Sequence, residues 1–173
     1  MATRIDILRL IAARHSRRPA RILPVLDALF RRLAVPAQPD EIRTVEDRIW
    51  DIWMHHAHRA AAETLDRATR DIAAKRYDIA ETRLTALLRA APDYAEAWHK
   101  RATLYYILGR DEECLSDIAR TLELEPRHFV AMQHFGEIML GIGAPGEARF
   151  AFFAALSLHP SLDRAREALS DNP

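Results

Sequence analysis

Apolar side chains at Ile22, Val25, Leu26, Leu29, Phe30 and Leu33 recur in steps of three and four, the spacing that puts them on one helical face. Pro36 and Pro39 end that run, and Asp40 is placed to cap the next helix. There Ile42, Val45, Ile49, Ile52 and Trp53 make a second stripe. Beyond residue 60 the spacing follows a longer rule. Pro92, Pro126 and Pro160 stand 34 residues apart, and so do Gly109 and Gly143. Ala68, Ala102 and Gly136 keep the same interval, as do Ala80, Cys114 and Ala148, and Leu84, Ile118 and Phe152. A fixed period of this length marks a supersecondary unit stacked on copies of itself. Three gapless units result, 61–94, 95–128 and 129–162.

Each set of positions has a physical reason. The small residues let two antiparallel helices approach closely. The large residues at 84, 118 and 152 fill the seam between hairpins. Gly109 and Gly143 sit where the first helix of a unit must end, because glycine adopts the left-handed cap without a steric cost. The prolines close the second helix, having no N–H to continue it. Asp93, with Glu96 three residues on, reads as a capping box for the next helix. Trp98, Ala102 and Tyr105 lie on one face of that helix, expected to pack on a partner running from Asp111 to Leu124.

These positions resemble the tetratricopeptide repeat, whose pattern runs Trp, Leu-Gly, Tyr, Ala, Phe, Ala, Pro. The middle unit matches with Trp98, Ala102, Tyr105, Cys114, Ile118 and Pro126, and departs at Arg101, where the family prefers Leu. The third carries Met132, Phe135, Gly136, Met139, Ala148, Phe152, Ala155 and Pro160. In the first unit Thr64, Arg67 and Asp71 stand where apolar residues are expected. The chain as a whole, including "EDRIWDIW", is similar to short bacterial proteins of this family. The resemblance implies an all-α solenoid of three helical hairpins, 57–162, with two N-terminal helices (19–56) covering the first repeat. A basic arm (1–18) precedes them, and a capping segment (163–173), its helix started by Ser161, follows. It also implies a concave groove for a protein or peptide, helical or extended. Its walls would carry Leu65, Thr69 and Ile72, then His99, Thr103, Tyr106 and Ile107, then Val130, Gln133, Glu137 and Leu140. Apolar groove residues without a task inside their own hairpin serve either a partner or the chain's N-terminal helices. A carboxylate clamp of the kind some members use is disfavoured: the matching positions are Leu65, Thr69, Lys100, Val130 and His134, and the only Asn is Asn172.

Composition agrees with helix: 49% of residues are apolar and only 5 are Gly. The net charge of zero hides an asymmetry, since residues 1–35 hold eight Arg against Asp6 and Asp27. That arm offers an alternative function, an adaptor engaging nucleic acid or anionic membrane through Arg4, Arg9, Arg14, Arg17, Arg18 and Arg21. No aromatic residue stands in 1–29 to stack on a base. No run of apolar residues is long enough to span a membrane, and the leader is broken by Asp6 and Arg9, so the expected location is cytoplasmic; Arg17–Arg18 is a poor match to a twin-arginine export signal. One cysteine, Cys114, rules out an internal disulfide, and its small-residue slot predicts a buried thiol. "GIGAPG" at 141–146 spells a dinucleotide fingerprint, but a helix rather than a strand precedes it. His55, His56 and His58 read as a solvated loop, and His99, His128, His134 and His159 share no metal spacing. No catalytic constellation is present. The expectation is a non-enzymatic scaffold without cofactor, metal or small-molecule substrate.

Overall fold

A computed structural model describes residues 3–19, 24–35 and 37–171. Among them are ten helices and no strand: α1 Arg4–Ala12, α2 Pro24–Leu33, α3 Pro39–Met54, α4 Arg59–Ala73, α5 Tyr77–Ala90, α6 Ala95–Ile107, α7 Asp111–Leu124, α8 Phe129–Gly141, α9 Pro145–Leu158 and α10 Asp163–Asp171. The hairpins α4–α5, α6–α7 and α8–α9 are the three repeats, and α10 packs on α9. Ile22, Arg21, Pro36 and Asn172 lie outside the described residues.

The turn chemistry follows the period. Gly109 and Gly143 adopt φ of +68° and +75°, ending α6 and α8. The equivalent turn of the first repeat places Lys75 at φ +57°, the one non-glycine residue with positive φ among those described. Helix starts depart from expectation. Gln38, not Asp40, is the N-cap of α3, with proline in the first turn. Tyr94 is the N-cap of α6 and makes no side-chain capping bond. The Asp93–Glu96 box does not form because Glu96 is drawn into the interior.

Size is matched across each hairpin. Ala68, Ala80 and Leu84 are buried in the first, Ala102, Cys114 and Ile118 in the second, and Gly136, Ala148 and Phe152 in the third. The largest seam residue, Phe152, meets the smallest helix residue: a Cβ on Gly136 would fall 2.7 Å from its ring. Cys114 is buried as expected, and desolvation pushes its thiol up to about 12. The first repeat replaces apolar packing with charge. Asp71, where Tyr105 stands in the second, accepts from Arg76 at 2.6 Å and Arg83 at 2.9 Å. In the second, Arg101 donates to both oxygens of Asp117, at 2.7 and 2.9 Å. Ala102 and Tyr105 face α7's core as expected; Trp98 joins the cluster of the first repeat, and its Nε1–H donates to the Pro92 carbonyl at 3.0 Å.

The N-terminal segments sit elsewhere than the apolar stripes alone implied. The buried face of α2 and α3, with Leu26, Phe30, Leu33, Ile49 and Trp53, belongs to the core of repeats 2 and 3. Only the end of α3 reaches the first repeat, through Met54 and α4; its large flat rings find flat partners in the second and third. Residues 4–12, expected as a basic arm, are helix α1, seated on α7 and α9. Its hold is apolar, through the fully buried Ile7 and Ile11, rather than ionic; Arg4, Arg9, Arg17 and Arg18 stay exposed. A capping box of Thr3 and Asp6 starts this helix.

Lys75→Gly is expected to raise stability by about 0.5–1 kcal/mol in denaturant titration, because it removes the left-handed strain that the other two turns avoid. Gly136→Ala is expected to lose about 1–3 kcal/mol by overpacking against Phe152, and a second change, Phe152→Ile, should recover most of it by restoring the Ala–Ile pairing of the middle repeat.

Candidate functional site

The first helices of the three hairpins, α4, α6 and α8, meet one another in order along one side of the stack, and α3 packs against α4 and α6 there. Its two tryptophans make the contact. Trp53 stacks on His128 at 4.3 Å between ring centroids and 9° between planes, with Phe129 at 5.4 Å and Phe30 at 6.1 Å. Trp50 lies 6.2 Å from both His99 and His128, and the Lys100 ammonium sits 4.9 Å over its ring. The edges are pinned by polar bonds. Arg127 pairs with Asp27 of α2 at 2.5 Å, His159 approaches Glu46 of α3 at 3.5 Å, and Tyr94 O–H donates to the Met54 carbonyl.

Beneath the tryptophans is a charged centre. Glu96 is 1% exposed. Its Oε1 lies 3.3 Å from His99 Nδ1 and 3.1 Å from Lys100 Nζ, and its Oε2 lies 2.9 Å from His128 Nε2. The Ala131 amide donates to His128 Nδ1 at 3.2 Å, which leaves the proton of that ring on Nε2, donating to Glu96. Burial opposes ionisation of Glu96, but His99, Lys100 and the His128 bond together hold its carboxyl well below the usual range. Burial lowers His99 to about 3, and His134 to about 4. His134 stacks between His99, at 5.3 Å, and Tyr106, at 5.5 Å.

Glu96, His99 and His128 form the one grouping of metal-type ligand atoms among the described residues, all within 4.8 Å of one another. Lys100 already neutralises the carboxylate, and a dication would put two positive charges side by side away from water. The donor set fits an internal hydrogen-bond network better than a metal.

The expected groove residues divide by position. Leu65, His99 and Gln133 are buried, Gln133 donating to Glu137 at 2.8 Å. They offer no accessible wall, because helix packing and the α3 contact consume them. Thr69, Ile72, Thr103, Val130, Glu137 and Leu140 are half-buried, with Val130 and Leu140 packed on the core. Tyr106 and Ile107 remain open, 38% and 47% exposed. The histidines require a second correction. His99, His128 and His134, read as scattered, converge on one centre. His56, read as solvated, is buried against Tyr94 with centroids 4.7 Å apart, and accepts from the His58 amide at 3.1 Å. The Glu96–His99–Lys100 spacing of three and four residues was a usable signal for half of this centre. "GIGAPG" forms the α8–α9 turn.

Trp53→Ala is expected to cost about 3–5 kcal/mol in denaturant titration, since it empties a filled seam. Glu96→Gln should cost on the order of 3 kcal/mol, because it leaves the Lys100 charge without its partner. Trp53→Ala unfolding at the wild-type midpoint would mean that α3 is not part of the cooperative core, and Glu96→Gln doing so would mean that the buried ion pair does not hold the repeats together.

No family model matches the chain. A TPR repeat-containing protein of Rhizobium etli is 30% identical over 145 residues, 84% of this chain and 71% of that protein. DnaJ homolog subfamily C member 3 of Rattus norvegicus is 32% identical over 79 residues, and that of Bos taurus 30%; each match spans 46% of this chain and 16% of the relative. No helix among the described residues is long and apolar enough to cross a membrane. With a 34-residue period, three helical hairpins stacked in order and a relative alike over most of both chains, this chain belongs to the tetratricopeptide repeat proteins.

Proposed function

We propose that this chain is a non-catalytic interaction scaffold, and that it holds a helix or extended peptide against the part of the concave surface that α2 and α3 leave uncovered. The single observation behind this reading is the exposure of Tyr106 and Ile107 beside a surface otherwise filled by the chain itself. Tyr106 is a rigid platform: its ring is parallel to His134 within 9°, and burial together with the nearby Glu137 carboxylate raises its hydroxyl above the ordinary value. An aromatic face already held in place costs little entropy to bind against, which is why such rings anchor interfaces. Thr69, Ile72 and Thr103 flank it on the earlier repeats, and Glu137 and Leu140 on the third. Glu137 would favour a segment that brings a donor or a positive charge to this end.

Tyr106→Ala and Ile107→Glu test the reading. Both side chains are partly in water, so stability should stay within about 1–2 kcal/mol of the wild type. Proteins retained by immobilised wild-type chain from cell extract, and identified by mass spectrometry, should be lost from both variants. Retention of the same proteins by the two folded variants would move the working surface elsewhere.

A further inference from the structure

Five buried side-chain polar atoms among the described residues have no hydrogen-bond partner. Four of them, Trp53 Nε1, His99 Nε2, His134 Nδ1 and His159 Nδ1, lie at or beside the seam between α3 and the repeats. A permanently closed interior satisfies such atoms, and leaving them bare opposes closure. The seam also gathers three imidazoles: the tilted rings of His128 and His99 are 4.3 Å apart, and His99 stacks on His134 at 5.3 Å. The groups facing them come from every side. They are Glu96 and Lys100 of α6, Glu137 of α8, Arg164 of α10, and Glu46 of α3 through His159. Lys100 and Arg164 oppose any further positive charge, and one buried carboxylate cannot offset several.

We propose that the α2–α3 hairpin is an acid-released cover: protons taken up by His99 and His134 lift Trp50 and Trp53 off the concave surface of repeats 2 and 3 while the repeats stay folded. The consequence, a wider groove at acidic pH, rests on the groove reading above; the release itself does not. The sign follows from the shifts. Both rings titrate far lower when covered, at about 3 and about 4, than the ordinary 6.5 they regain in water. Between pH 6.5 and about 4 the open form therefore binds more protons. Each pH unit downward favours it by about tenfold per histidine, about a hundredfold for the two.

The test uses the full chain carrying Trp98→Phe, so that emission reports Trp50 and Trp53 alone. Fluorescence, acrylamide quenching and far-ultraviolet circular dichroism are followed from pH 7.5 to 4 at constant ionic strength. The expected result is a red shift and a gain in quenching with a midpoint between 6.5 and 4, at unchanged helicity. His99→Asn with His134→Gln, which keeps a donor for Glu96 but removes both titrations, should move the midpoint down by at least one pH unit. His134→Gln alone gives a smaller shift and serves if the double variant does not fold. Emission unchanged to pH 4, loss of helicity together with the red shift, or folded variants titrating like the wild type would each overturn the proposal. None of these outcomes bears on the neutral-pH binding test of Tyr106 and Ile107.

Discussion

A single carboxylate, Glu96, ties the parts of this molecule together. Buried in the first turn of α6, it has no water to solvate it and must be neutralised and hydrogen-bonded within the fold. Lys100 and His99 answer from its own helix; His128 answers from the end of the second repeat, across 32 residues. That last bond fixes the position of the third hairpin relative to the second and presents the His128 ring flat to Trp53. The placement of α3 thus depends on an ion pair that α3 does not itself enter. Electrostatics sets the platform here, and aromatic stacking uses it.

The three repeats solve one packing problem with three side-chain sets. The same two helix positions and one seam position hold Ala, Ala and Leu, then Ala, Cys and Ile, then Gly, Ala and Phe. In the third repeat growth at the seam, to Phe152, is matched by shrinkage at the crossing, to Gly136. Where the first repeat lacks the aromatic residue that the second has at Tyr105, it places Asp71 between two arginines. The substitution exchanges non-directional burial for directional bonds and leaves the helix intact.

The hairpins were readable in the sequence because their order is local. A period of 34 residues, glycine at left-handed turns and proline past helix ends are each encoded within one unit. Helices α2 and α3 were readable as well, from their apolar stripes. Their destination was not: a stripe shows that a face will be buried, not against what. Trp50 and Trp53 are satisfied by residues about fifty to eighty positions away, and no spacing rule encodes that. The same limit hid the histidine centre. Glu96, His99 and Lys100 share one helical turn, but His128 and His134 join them only through stacking of the next hairpin. Helix α1 was legible only as a basic arm for another reason: its arginines dominate its composition, while the docking falls to the buried Ile7 and Ile11, with Leu8 and Leu10 packed beside them.

The placement of α1 has a consequence for how the chain is made. It lies on α7 and α9, with Arg14 donating to Ser157 at 3.0 Å, while α3 lies against α6 and the start of α8. Segments made early are therefore completed by segments made later. Stacked repeats ordinarily grow one unit at a time, each resting on its neighbour. Here α1 and α2 wait for roughly a hundred further residues before their apolar faces find cover, and α3 for about fifty to eighty, at a synthesis rate of about 5–20 residues per second. For those seconds Ile7, Ile11, Phe30 and Trp53 belong to a nascent chain that exposes them, and the α8–α9 hairpin, made later, closes the fold around them.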